Sequence, residues 1–379
     1  MEQALAELGF MDVSTDSYRY RSEVVDEALS LVTDESDGAA YAVATKRIEP
    51  DSGSAQVGAA AAAGSAGVGA ESASADSASL SGAASSSEAA ADGSVAEARA
   101  KTLVLVSIRG SYGSEWLSNL AVLGEDGSRS AAGSAASGAS SSSVDTAPSD
   151  DGHPGYTEAA REVREAVDAR IRSAHAAGDE VEVLLVGHSR GGAIANLVAA
   201  SALDDLAAVQ DGSAPQSLPS LRAGDRVRAY TFASPGTTTA SDAGDARYGS
   251  IFNIVNPSDL VPQLPLPAWG YGRYGTTVEL PGYASTRFAS SLALMQQAYQ
   301  ANTGLLDSYS PDALERLDSF DAQAAQSLPT VESLLNPFGI FTAVRELLEV
   351  DLGLAFTSHC PDTYIAWMQA GAADQPASA

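Results

Sequence analysis

The chain contains a single cysteine, Cys360, so no internal disulfide can form and a cysteine-rich metal site is excluded. Cations are scarce as well: 21 Lys and Arg against 49 Asp and Glu leave a formal net charge of −28. Such a surface repels phosphate backbones and anionic headgroups, which argues against nucleic-acid binding and against tight docking to anionic membranes. Long apolar runs are missing. The longest uninterrupted ones are strand-sized, well short of the roughly 20 residues a membrane helix needs, so no transmembrane segment is read. The opening MEQALAELGFMDVS lacks a basic n-region and a long apolar core, so no signal peptide is read either. That favours a cytoplasmic protein, or a secreted or cell-surface one if the true N-terminus lies upstream of Met1.

What remains is enough to fold. Of the 379 residues, the stretches 51–98 and about 125–150 are dominated by Ala, Ser and Gly and contribute little to a core. Residues 51–98 are read as a flexible insertion. The remaining roughly 300 residues suit one large α/β domain. Residues 1–50 supply an N-terminal helix, read over 22–32, and a strand over 40–48. The main domain then runs over 99–370, with its own flexible insertion at about 125–150. Apolar runs predict strands over 102–108, 181–186, 227–232 and 251–255. Helical spacing predicts helices over 156–177, with Ala160, Val163, Val167, Ile171 and Ala174 on one face, and over 193–209. From about 285 to 350 the chain reads as mainly helical, with a break at Pro337. Strands alternating with helices imply a mostly parallel sheet covered on both faces.

The sharpest motif is Gly187-His188-Ser189-Arg190-Gly191, at the junction of a strand and a helix. G-x-S-x-G needs small residues around the serine because the turn is too tight for Cβ atoms, and the turn lifts the serine oxygen above the sheet. It also frees backbone N–H groups at the helix start to hold an oxyanion. A nucleophilic serine needs a general base and an acid to orient it. In the order Ser, Asp or Glu, His, only His359 of the four histidines (His153, His175, His188, His359) follows Ser189. His188 is read as packing or hydrogen bonding within the elbow, and His175 as solvated on a polar helix. Among the acids, Asp259 stands in Asn256-Pro-Ser-Asp-Leu-Val-Pro at the C-terminal end of a strand, where open α/β sheets build their sites. A turn-forming aspartate fits that position equally. The strand over 102–108 runs into Arg109-Gly110-Ser111, which offers Ser111 as one oxyanion donor, with the backbone N–H of Arg190 as the second. Arg109 reads as an anchor of the supporting shell or as an ordinary strand-end charge.

Five blocks in order resemble the class 3 (fungal-type) lipases of the α/β-hydrolase superfamily. Ile108-Arg-Gly-Ser-Tyr-Gly-Ser-Glu-Trp-Leu-Ser-Asn-Leu is similar to that family's F-R-G-S/T block with its later W-x-x-D/N-L, and its oxyanion residue falls on Ser111. Asp151-Gly-His-Pro-Gly-Tyr resembles H-x-G-F, making His153 a structural residue. Gly187-His-Ser-Arg-Gly-Gly resembles G-H-S-L-G-G, with the nucleophile on Ser189. Thr231-Phe-Ala-Ser-Pro-Gly is similar to T-F-G-x-P. Asn253-Ile-Val-Asn-Pro-Ser-Asp-Leu-Val-Pro-Gln-Leu-Pro resembles the stretch ending N-x-x-D-x-V-P-x-L-P, with the acid on Asp259.

The resemblance implies an α/β-hydrolase fold and a serine carboxylic-ester hydrolase with the triad Ser189, Asp259 and His359. The implied substrate is a small-molecule or lipid ester, such as an acylglycerol, and no metal or organic cofactor is needed. Two departures stand out. Arg190 replaces the usual leucine and is expected to put a charge near the site mouth. His359 lies about 100 residues beyond Asp259, in Thr357-Ser-His-Cys-Pro-Asp-Thr-Tyr364, only loosely like the family's H-x-x-Y ending. Beyond Trp116, where the family carries its lid, the Ser/Ala/Gly stretch offers few large apolar side chains. Little activation at lipid–water interfaces and a preference for short or soluble esters are therefore expected. Two other readings stay open: a thioester or ester-linked polysaccharide as acyl donor, and an idle hydrolase fold serving as a binding module.

Overall fold

The computed structural model describes residues 2–16, 39–49, 99–111, 153–214, 220–283, 285–306, 326–330 and 352–373. The expected helix at 22–32, the stretches 51–98 and 125–150, Trp116 and Pro337 lie outside the described residues. One sheet holds seven strands in chain order: β1 (Met11–Asp16), β2 (Tyr41–Ile48), β3 (Lys101–Ile108), β4 (Glu180–His188), β5 (Arg226–Phe232), β6 (Ile251–Val255) and β7 (Thr276–Glu279). The first three pair antiparallel, and β3 to β7 run parallel. This is the mostly parallel sheet expected of an α/β-hydrolase.

The strands form where side chains alternate in environment. Along β3 and β4, Val104, Val106, Ile108, Val181, Val183 and Leu185 point to one face and are buried. Each such side chain contributes roughly 1.5–3 kcal/mol when taken from water. A short helix α1 (Glu2–Glu7) precedes β1; the buried side chains of β3 and β4 meet α2 (Pro154–Ala176) and α3 (Arg190–Gln210), which follow β3 and β4 and share one core cluster with the sheet. The stripe read from the sequence of α2, Ala160 to Ala174, lies within that cluster. Unlike α2, α3 is apolar nearly all round. Among the described residues it is the one helix long and apolar enough to cross a membrane, yet 67% of that stretch is buried inside the fold. A helix apolar on every side is what a central core position demands. Its one buried amide, Asn196, donates to Asn253 Oδ1 at 3.0 Å and to the Tyr274 carbonyl at 2.9 Å, fixing α3 against β6.

His175 corrects the sequence reading. It is not solvated: it lies buried near the end of α2 with Nε2 2.9 Å from Asp225 Oδ2. Asp225 also accepts the backbone N–H groups of Val181 and Arg222, at 2.9 and 2.6 Å. One carboxylate thus ties α2, the start of β4 and the approach to β5 at the end of the sheet opposite the motif.

The other sheet face is covered near its C-terminal edge by α4 (Phe288–Thr303), α5 (Leu352–His359) and α6 (Pro361–Ala373). Ile254, Phe288, Met295, Leu354, Tyr364 and Trp367 form a second core cluster there, with Phe232 and Phe252 packed against it. This second layer carries His359 to the same end of the sheet as Ser189.

Candidate active site

Ser189 occupies the turn between β4 and α3 with φ 56° and ψ −130°, a conformation sparsely populated by residues with a Cβ. Holding it costs on the order of 1–3 kcal/mol, which the packing around it must offset. The glycines of the motif permit that packing. A Cβ on Gly187 would stand 2.0 Å from the Gly191 carbonyl oxygen, and one on Gly191 would stand 2.3 Å from the Ile108 carbonyl oxygen.

The three residues singled out from the sequence come together. His359 Nε2 lies 2.9 Å from Ser189 Oγ, and its Nδ1 lies 2.9 and 3.1 Å from the two Asp259 oxygens. Asp259 is fully buried. It follows β6 in a turn closed by its own N–H to the Asn256 carbonyl at 2.9 Å, with the Ser258 N–H on the Asn256 side-chain oxygen at 3.2 Å. Its carboxylate accepts the Val261 N–H at 2.9 Å and the Tyr364 hydroxyl at 2.8 Å. These donors fix the carboxylate in orientation.

Tyr364 had no assigned role in the sequence reading. Its hydroxyl donates to Asp259 and accepts the Asn256 N–H at 3.1 Å, so α6 and the acid's turn are joined at the acid itself. The only sequence signal for it was the loose likeness of 357–364 to a motif ending in tyrosine.

His188 also braces the base. Its Nε2 lies 2.8 Å from the His359 carbonyl oxygen, and the two rings are 4.9 Å apart. Since a carbonyl only accepts, the tautomer assigned is the one with Nε2 protonated. Burial, reinforced by the neighbouring His359, pushes the His188 pKa down to about 4, so the ring stays neutral at pH 7. The Asn256 side chain donates to the Ser358 carbonyl at 3.1 Å, so the backbone on both sides of the base is held.

Arg190 departs from expectation. Its side chain does not sit at the site mouth but is buried, donating to the Gly155 carbonyl at 2.7 Å with its guanidinium 5.5 Å from the Tyr156 ring. Its backbone N–H lies in the first turn of α3, where N–H groups have no intrahelical acceptor. Ser111 ends the described part of the loop after β3. That loop presses on the nucleophile: a Cβ on Gly110 would lie 3.3 Å from Ser189 Cβ. Arg109 donates to the Gly110 carbonyl at 2.9 Å. His153 is a buried structural residue, capping α2 through Nδ1 and stacked on Tyr156 at 4.3 Å, and burial pushes its pKa down to about 4.

Residues 105–269 match the profile of the Lipase (class 3) family. No curated protein matches the chain significantly. Solved structures with local similarity include a mutant form of MDLA from Penicillium cyclopium, 23% identical, with a TM-score of 0.30 over 48% of this chain and 58% of that one. The triacylglyceride lipase of Rhizomucor miehei is 21% identical, with a TM-score of 0.28 over 47% and 57% of the two chains. A lipase from Rhizopus microsporus var. chinensis is 18% identical, with a TM-score of 0.29 over 47% and 52%. The chain therefore spans between half and three-fifths of the length of these structures.

Proposed function

We propose, from the match of residues 105–269 to the Lipase (class 3) family and from the site geometry, that the chain is a serine carboxylic-ester hydrolase acting on acylglycerols or related lipid esters. The observation that carries this reading is His359 bridging Ser189 Oγ and the Asp259 carboxylate. In this reading the segments 1–50 and 99–370 form one hydrolase domain with insertions at 51–98 and about 125–150.

His359 Nε2 takes the Ser189 hydroxyl proton as Oγ bonds to the ester carbonyl carbon. The carbonyl π electrons move to oxygen, where the donors assigned to Ser111 and the Arg190 N–H stabilise the charge. Asp259 holds the imidazole with Nδ1 protonated and stabilises the imidazolium. The tetrahedral species collapses, the C–O bond to the alcohol breaks, and His359 returns its proton to the leaving alkoxide. Water then repeats the sequence on the acyl-enzyme, giving the carboxylic acid and free Ser189.

The test is hydrolysis of p-nitrophenyl esters from acetate to palmitate by the wild type and by Ser189→Ala. Turnover is expected to fall on the order of 10⁵- to 10⁶-fold on removal of the nucleophile. Equal rates in the two proteins on every ester overturn the reading.

A further inference from the structure

We propose that Arg273 is a positioning residue, one guanidinium nitrogen setting the spacing between the loop that supports the nucleophile and the loop that supports the acid. The inference rests on the ester-hydrolase reading and adds a residue on which its alignment depends. Arg273 stands in the approach to β7. Its Nη1 donates to the Ser234 carbonyl at 3.0 Å and to the Pro262 carbonyl at 2.7 Å. These carbonyls belong to the segments that follow β5 and β6.

Each segment is tied to a member of the triad. Ser189 donates its backbone N–H to the Phe232 carbonyl at 2.9 Å, two residues before Ser234. Ala233, between them, is buried with φ 54°, a left-handed backbone that a residue with a Cβ keeps only when its surroundings impose it. The first turn of α3 rests on the same loop: a Cβ on Gly192 would lie 3.1 Å from both the Phe232 carbonyl oxygen and Ser234 Cβ. On the acid's side, the Val261 N–H donates to Asp259, and Pro262 is the next residue.

The backbone on both sides of Arg273 is fixed. The Gly272 N–H donates to the Thr238 carbonyl, and the Gly272 carbonyl accepts the Thr237 N–H, each at 2.7 Å. The Tyr274 N–H reaches the side-chain oxygen of buried Asn196 at 3.2 Å. Among the described residues no carboxylate pairs with the guanidinium. Burial disfavours its charge, pushing its pKa below the ordinary arginine value. What the charge gains in return is two charge-assisted bonds to carbonyls, which are stronger than neutral ones. Arg273 also interacts electrostatically with Tyr364, whose hydroxyl donates to Asp259.

The test compares Arg273→Met, which keeps the stem and loses the donors, with Arg273→Lys. One nitrogen makes both bonds in the wild type, so an ammonium can make them too. On p-nitrophenyl acetate, kcat of Arg273→Met is expected to fall at least on the order of 10-fold with KM within about 2-fold of wild type, since misalignment is felt in the reaction rather than in binding. Arg273→Lys is expected to recover most of that loss. A wild-type kcat in Arg273→Met, or a loss that lysine does not recover, overturns the proposal. Should Arg273→Met fail to fold, Arg273→Gln, which keeps an uncharged donor of shorter reach, takes its place with the same expectation. Proton NMR of the full chain gives a readout that does not need turnover. The His359 Nδ1–H held by Asp259 is read as a downfield resonance, identified by its loss in His359→Gln. It is expected in the wild type, weakened by exchange in Arg273→Met and restored in Arg273→Lys. An unchanged resonance in Arg273→Met also overturns the proposal. Should the wild type hydrolyse no ester while the resonance follows this pattern, the ester-hydrolase reading fails and the positioning role stands.

Discussion

Tyr364 shows how much of a site depends on a group that touches no substrate in the proposed reaction. Its hydroxyl is shared between the Asp259 carboxylate and the Asn256 N–H. A hydrogen bond to a charged group is worth about 1.5–3 kcal/mol, so removing it leaves the acid short of one donor in a buried setting. Tyr364→Phe keeps the ring and deletes both the donor to Asp259 and the acceptor of the Asn256 N–H. In the proposed enzyme kcat is expected to fall about 10-fold or more with KM little changed, because the loss is felt when the imidazolium forms. A kcat equal to wild type means that Val261 and His359 orient Asp259 without help. The residue's role was hidden in the sequence because the contact joins positions 105 apart. Ser189, by contrast, announces itself through its immediate neighbours, and His359 through the scarcity of histidine. Arg190 was misread for a related reason: nothing in its local sequence shows that Gly155 and Tyr156, far back in the chain, form the pocket that takes its guanidinium.

At the scale of the element, the β4–α3 elbow is closely constrained by backbone contacts. Gly191 lies against the carbonyl oxygen of Ile108, the last residue of β3, so the elbow and the neighbouring strand interlock through backbone alone. Gly191→Ala places a carbon 2.3 Å from that oxygen, and no flexible side chain is there to yield. Overpacking of this kind costs about 1–3 kcal/mol and at times more. Gly191→Ala is expected to lower the urea midpoint and to reduce esterase activity more than stability alone explains, as Ser189 shifts with the elbow. An alanine variant with wild-type midpoint and activity contradicts this packing. The same elements show what local pattern can convey. β3 to β6 were recognised because strands buried within the sheet carry short continuous apolar runs. The edge strands β1 and β7 were not. Thr276-Thr-Val-Glu279 is exposed at every position, and Met11-Asp-Val-Ser-Thr-Asp16 is mostly polar, so neither carries the burial signature of a strand. They are strands because a paired neighbour lies alongside. His175 was missed for the same kind of reason, its partner Asp225 lying 50 positions on.

At the scale of the molecule, two buried histidines make the fold sensitive to acid. His153 and His188 have pKa values pushed down from 6.5 to about 4, in both cases first by burial. Between those values the unfolded chain binds protons that the folded chain does not, so stability rises with pH across that window. Their contribution is complete above pH 6.5 and is lost as pH falls toward 4, on the order of 3 kcal/mol for each histidine. Urea midpoints measured from pH 7.5 to 4 are expected to drop for the wild type and to drop less steeply for His188→Gln. Parallel curves for the two proteins contradict a neutral, buried His188. The central claim, that the juxtaposition of Ser189, His359 and Asp259 is a working catalytic site, is met most directly by mass spectrometry of the full chain after treatment with an organophosphonate ester probe. One adduct per chain on the peptide containing Ser189 is expected, absent in Ser189→Ala and slower to form in His359→Ala. Failure of wild-type Ser189 to react, or labelling that persists in Ser189→Ala, contradicts the account.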